Sequence, residues 1–181
     1  MILGNFENST TLQEFYTQAL TMYEKEYKSD FLLYYKAIEK LAKKIKSYKE
    51  CGSFQGVSAA AAMIGNPELE YVEIIDVTFQ HIKKHKKVYN DFKGKLFWNE
   101  TSTLTCKVNE VDMTFIDSQH KYKHVIKEIQ RHGPKTNKYL MFHDSNYHEI
   151  KRAIKETIDT GKWKYHTVNE KSFGYVVLQR I

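Results

Sequence analysis

The chain has 181 residues, 41% of them hydrophobic and 28% charged, with a formal net charge of +6. That length suits one domain with a sizeable core, and 2 prolines with 8 glycines exclude long disordered linkers. No run approaches the ~18 consecutive apolar residues of a membrane-spanning helix.

The N-terminal residues Met1 to Asn8 lack the basic start and apolar run of a secretory leader. Cys51 and Cys106 do not make a disulfide framework, so a cytoplasmic protein is expected. The lysines cluster at Lys40–Lys49, Lys83–Lys87 and Lys121–Lys127. They alternate with apolar residues at helical spacing, which reads as solvated helix faces, with a phosphate-attracting patch as the alternative.

In chain order, Leu12, Phe15, Ala19 and Met22, and then Leu32, Leu33, Ala37, Ile38, Leu41 and Ile45, have the spacing of amphipathic helices. Ser29-Asp30 is a cap between them. Residues 1–46 therefore read as a helical extension and 47–181 as the main unit. Strands are expected near Ser47–Cys51, Tyr71–Asp76, Lys95–Trp98, Val111–Asp117, Tyr139–His143, Trp163–Val168 and Gly174–Gln179. Helices are expected near Val57–Ile64, Phe79–Val88, Tyr122–Arg131 and Tyr147–Thr160. Gly133-Pro134 and Gly161 act as stop signals, and Asn169 to Ser172 as a hairpin loop. The alternation predicts an α/β fold: a Rossmann-like, doubly wound, seven-stranded and mostly parallel sheet with a C-terminal antiparallel hairpin.

Glu50 ends the first strand, Gly52 and Gly56 occupy the turn, and Val57-Ser-Ala-Ala-Ala-Ala opens a helix. Glycines there allow positive φ and close ligand approach, and the helix N-terminus favours an anionic or polar group. Tyr71-Val-Glu-Ile-Ile-Asp76 places a carboxylate about twenty residues on, where it can accept ribose hydroxyls. Alternatively, Asp76 caps a helix at Thr78. Asp117 and the His143-Asp144 pair end two further strands and can converge in one crevice, as suits a divalent cation or acid–base chemistry. His120 reads either as a base or as a residue orienting Asp117. His81, His85, His124, His132 and His148 read as solvated, and Cys51 as a small core residue. The aromatic residues Phe6, Phe15, Tyr16, Tyr23, Tyr27, Tyr34 and Tyr35 form either a substrate lid or plain packing.

Glu50-x-Gly52-x-x-x-Gly56-x-Ser58, Ile75-Asp76, Phe115-Ile-Asp117-Ser-Gln-His120-Lys-Tyr122 and Phe142-His143-Asp144 follow one another in order and spacing. Together they resemble the class I S-adenosylmethionine-dependent methyltransferases, and within them the branch with cephalosporin hydroxylase-like and macrocin O-methyltransferase-like enzymes. The resemblance spans about Tyr48 to Ile181. Phe54 stands where many class I enzymes have a third glycine, and that branch often carries a bulky residue there.

The resemblance implies S-adenosylmethionine across the C-terminal strand ends. It places Glu50, Gly52, Phe54, Gly56 and Ser58 at the methionine end, Asp76 at the ribose and Thr101 or Ser102 near the adenine. Asp117 belongs to both cofactor and catalytic sets, with His120. Metal-dependent relatives also imply Mg²⁺ or Mn²⁺ at Asp117, His143 and Asp144. His143 here replaces an acid and Ser145 stands where some relatives have Asn, so a transition metal, or none, stays open. The expected activity is O-methyl transfer to a small-molecule or sugar hydroxyl. The alternatives are a non-catalytic adenosylmethionine- or nucleoside-binding protein and a basic RNA-binding accessory protein. No membrane partner is expected, nucleic acid is disfavoured, and the N-terminal helices offer an oligomer contact.

Overall fold

A computed structural model describes residues 8–27 and 30–181. Phe6 and Ser29 lie outside the described residues. Helix α1 (Leu12–Tyr27) begins with a reciprocal cap, because Thr11 Oγ1 accepts the Glu14 amide at 3.1 Å while the Glu14 carboxylate accepts the Thr10 amide at 2.8 Å. Its residues Leu12, Phe15, Tyr16, Ala19 and Tyr23 are buried at helical spacing. Helix α2 (Asp30–Ala42) buries Tyr34, Tyr35, Ile38, Leu41 and Ala42 in the same way.

The strands are β1 (Ser47–Cys51), β2 (Tyr71–Asp76), β3 (Lys95–Glu100), β4 (Val111–Ile116), β5 (Thr136–His143), β6 (Trp163–Asn169) and β7 (Tyr175–Arg180). They form one sheet in the order β3-β2-β1-β4-β5-β7-β6. The pairs from β3 to β5 are parallel, and β7 runs antiparallel to both β5 and β6. The expected doubly wound sheet with its terminal hairpin is therefore present. Helix α3 (Val57–Gly65) lies with α1 and α2 over one face, and its Ala59 to Ala62 are fully buried in a cluster shared with both N-terminal helices. Helices α4 (Tyr122–His132) and α5 (His148–Asp159) cover the β4-β5-β7 part of the other face. The described residues between β3 and β4 form turns, beneath which Cys51, Ile75 and Cys106 pack together.

One expected helix is different. Residues 80–85 between β2 and β3 form turns that run into a 3-10 helix over Lys86–Asp91. The buried positions Phe79, Ile82, His85 and Val88 recur every three residues, the period of a 3-10 helix rather than the 3.6 of an α-helix. That period also corrects the reading of His85, which is buried with its ring 5.5 Å from that of Phe15. His132 is buried too, because it shares one face of α4 with Val125, Glu128 and Ile129. Its Nε2 lies 2.9 Å from the Thr103 carbonyl, and burial holds its pKa down to about 4.

Candidate functional site

Parallel pairing brings the C-terminal ends of β1 to β5 to one edge of the sheet, the usual ligand crevice of such folds. A cavity of about 540 Å³ opens there. Its walls are Gly52, Ser53 and Phe54 after β1, Asp76 to Thr78 after β2, Ser102 and Thr103 after β3, Asp117 to His120 after β4, and His143 and Asp144 after β5. Tyr23, Tyr34 and Tyr35 of the N-terminal helices close one side, and the half-exposed rings of Tyr147 and Phe173 stand near the mouth.

The loop after β1 is held from within the protein. Glu50 is fully buried beneath it, and its carboxylate accepts hydrogen bonds from the hydroxyls of Ser53, Ser58 (2.7 Å) and Tyr48 (3.0 Å). Burial pushes the pKa of Glu50 up to about 7. Gly52 and Gly56 have φ of 88° and 83°. A Cβ on Gly52 would come within 2.5 Å of the Asp117 carbonyl, and one on Gly56 would overlap the Tyr89 hydroxyl. Both glycines are thus demanded by the crossing of neighbouring chain segments as well as by backbone conformation. Phe54, also at positive φ (35°), turns its ring toward His81, 4.7 Å away between centroids.

Asp76 ties this loop to the next. Its Oδ2 accepts the Ser53 amide at 2.7 Å and its Oδ1 the Thr78 amide at 3.1 Å. Asp76 thus closes a local turn at Thr78, but no helix begins there for it to cap, and its side chain lines the cavity as well.

At the other end, four side chains meet. His120 Nε2 lies 2.7 Å from Asp144 Oδ2 and 3.8 Å from Asp117 Oδ1. His143 Nδ1 lies 3.1 Å and 3.4 Å from the same two oxygens. The Asp117 and Asp144 carboxylates raise the pKa of His120 to about 10. For His143, burial works against the charged ring, but the Asp117 carboxylate outweighs it and raises the pKa to about 9. Both carboxyls, despite burial, are held below their ordinary range, Asp117 chiefly by His143 and Asp144 by hydrogen bonds from His120 and His143. The His120 ring stacks on Tyr147 at 5.4 Å and 9°, and the His143 ring rests 4.3 Å from that of Tyr34. Asp117, His120 and Asp144 offer ligand atoms that all lie within 4.8 Å of one another.

No protein-family model and no curated protein sequence matches the chain. Solved structures do. A Staphylococcus aureus protein provisionally described as a caffeoyl-CoA O-methyltransferase superposes with a TM-score of 0.69 at 15% identity, covering 82% of this chain and 83% of its own. An O-methyltransferase from Bacillus cereus in complex with SAH gives 0.67 at 13% identity, with 96% and 92% covered. The N-methyltransferase NodS from Bradyrhizobium japonicum gives 0.59 at 13% identity, with 84% and 97% covered. The chain has the class I methyltransferase fold.

On that fold, the residues singled out from the sequence divide into two kinds. Gly52, Phe54, Ser58, Asp76, Ser102, Asp117, His120, His143 and Asp144 line the one cavity. Glu50 and Gly56 lie behind the loop, where they shape it through Ser53, Ser58 and Tyr89. Ser53, Tyr147 and Phe173 line the cavity without having been marked by sequence, and so do His81 and His124, which had read as solvated; the His124 side chain is only 17% exposed and lies 3.3 Å from the Glu128 carboxylate. Ser53 follows Gly52 directly, so its amide contact was within reach of the motif. Phe173 belongs to the hairpin loop between β6 and β7, and only the folded sheet brings it back to β5.

Proposed function

We propose that the chain is an S-adenosylmethionine-dependent methyltransferase acting on a hydroxyl of a small molecule or sugar. The observation that carries this reading is one continuous cavity, at the strand ends of a class I fold, shared by the loop after β1, Asp76 and the Asp117–His120–His143–Asp144 cluster. The cofactor lies toward β1 to β3 and the acceptor toward β4 and β5.

Each residue has a part that follows from its surroundings. The Asp76 oxygens keep lone pairs beyond those spent on Ser53 and Thr78, and these accept the ribose hydroxyls. Gly52, Ser53 and Phe54 border the methionine end, and Ser102 with Thr103 the adenine end. Glu50 fixes the loop without touching the ligand.

In transfer, an acceptor oxygen lone pair forms the bond to the methyl carbon, the carbon–sulfur electrons return to sulfur, and the hydroxyl proton passes to water at the open side of the cavity beside half-exposed His120. Alignment supplies much of the acceleration, since the sulfonium is already activated. His120 and His143 hold their own protons near neutrality, so they act as hydrogen-bond donors that hold the acceptor oxygen in line, with Asp117 and Asp144 keeping the rings in place. A divalent cation held by Asp117, Asp144 and a deprotonated His120 would instead supply Lewis acidity, lowering the pKa of the acceptor hydroxyl.

Calorimetric titration with adenosylmethionine and with adenosylhomocysteine tests the reading. Saturable binding of both is expected, and absence of both overturns it. A screen of hydroxylated acceptors by release of adenosylhomocysteine then identifies the substrate.

A further inference from the structure

Four polar side chains meet at the corner of the cavity between the loops after β3 and β4. Thr103, Ser118 and His124 line the cavity, and Glu128, one helical turn beyond His124 on α4, lies wholly buried behind them. Ser118 Oγ donates to Glu128 Oε1 at 2.6 Å. His124 Nε2 stands 3.3 Å from the same oxygen and 3.4 Å from Thr103 Oγ1. The other oxygen, Glu128 Oε2, is buried with no hydrogen-bond partner among the described residues. A carboxyl left half-satisfied in the interior costs stability, so its presence calls for a role in the site beside it.

That role follows from counting donors and acceptors. A carboxylate oxygen only accepts, and 2.6 Å is the length of a hydroxyl bonded to an ionised carboxylate. The one hydrogen of Ser118 is therefore spent inward, and toward the cavity its oxygen can only accept. The same carboxylate draws the hydrogen of a neutral His124 ring to Nε2, which leaves Nδ1 as an acceptor too. Burial pushes the Glu128 carboxyl above its usual range. A proton taken up there belongs on Oε2, since Oε1 already accepts from Ser118, so the polarity set toward the cavity is the same in both states.

We propose that Glu128 is a positioning residue that turns this corner into an acceptor-only subsite, one that takes an exocyclic amine of the ligand and rejects a carbonyl in its place. It acts through Ser118 and His124 and does not touch the ligand itself. Which amine is bound rests on the function proposed above: it is the 6-amino group of adenine, whose ring lies beside Ser102 and Thr103.

The full chain is titrated by calorimetry with adenosylhomocysteine and with S-inosylhomocysteine, which carries a carbonyl where adenine has its amine. The parent should prefer the amine by about 10-fold or more, since the carbonyl sets lone pairs against lone pairs. Glu128→Met replaces the half-satisfied carboxyl by an apolar side chain of similar length, a change that buried charged sites often tolerate. It frees the Ser118 hydrogen to turn toward the cavity, so the preference should fall below about 3-fold. Ser118→Ala deletes an acceptor while leaving Glu128 in place, and should lower the preference in the same direction. Circular dichroism establishes that each variant folds. A folded Glu128→Met protein that keeps the parent's ratio, even with both ligands weakened, overturns the proposal, because a purely structural role would leave that ratio alone. Should Glu128→Met not fold, an unchanged ratio in Ser118→Ala overturns it. Equal binding of both ligands by the parent sinks the Glu128 role alone. Binding of neither sinks the methyltransferase reading, and the subsite's ligand with it.

Discussion

The Ser53 amide donates to Asp76 Oδ2 at 2.7 Å, so the loop after β1 is latched to the acid at the end of β2. The same carboxylate takes the Thr78 amide on its other oxygen. One side chain thus organises the loops after β1 and β2. If it also receives two ribose hydroxyls, Asp76→Ala removes charge-assisted hydrogen bonds of about 1.5–3 kcal/mol each. A loss of adenosylhomocysteine affinity of at least about 10-fold is expected by calorimetry. Asp76→Asn keeps one acceptor oxygen and should fall between the two. Affinity unchanged in a folded Asp76→Ala protein would show that the carboxylate serves the loops only.

Glu50 makes a prediction about pH. Burial holds its folded-state pKa near 7, against an ordinary 4.5. Between those values the folded protein binds the proton that the unfolded chain releases, so this contribution is complete below about pH 4.5 and is lost as pH rises through 7. His132, depressed to about 4 from 6.5, has the opposite sense and costs stability as pH falls. Glu50→Gln removes only the first effect. Urea denaturation at several pH values should show the variant gaining on the parent from pH 5 to 8, by on the order of 3 kcal/mol. A constant offset would mean that Glu50 titrates normally.

How much of this was legible in the sequence depends on the range of the forces involved. Alternating apolar runs gave the parallel sheet and hairpin, and acids at strand ends gave the crevice, because both follow from local periodicity. The segment from Phe79 to Val88 misled, since its lysines suggested a solvated α-helix while its apolar positions recur every three residues. The glycine motif could not reveal that Tyr89 and the Asp117–Ser118 backbone fill the space beside Gly56 and Gly52. Nor could spacing show three N-terminal tyrosines on the cavity wall. These are contacts between distant segments, which no local pattern encodes.

Gly56 and Tyr89 are coupled in a way that a double-mutant cycle can read. The Tyr89 hydroxyl donates to the Gly56 carbonyl at 2.8 Å and occupies the place a Cβ would take. Gly56→Ala pays about 1–2 kcal/mol for its left-handed conformation and adds the overlap with Tyr89. Tyr89→Phe alone loses one buried hydrogen bond, worth about 1 kcal/mol. Removing the hydroxyl relieves the overlap, so the double variant should be more stable than the sum of the single effects by about 1 kcal/mol. Additive effects in urea melts would show that the alanine is accommodated without touching Tyr89.

Tyr34 joins the N-terminal helices to the Asp117–Asp144 end of the cavity. It is buried, lines the cavity, and its ring lies 4.3 Å from that of His143. Burial, and then the charge on Asp117, hold its phenol protonated far above neutrality, so the hydroxyl keeps a hydrogen to donate beside the carboxylate cluster. Tyr34→Phe preserves the ring and removes that donor. The expected outcome is unchanged adenosylhomocysteine affinity with kcat/KM for the acceptor lowered by about 10-fold, the size of one lost hydrogen bond. Equal losses in both would place Tyr34 on the cofactor side of the cavity. Transfer unaffected by the substitution would leave the ring with packing as its sole role.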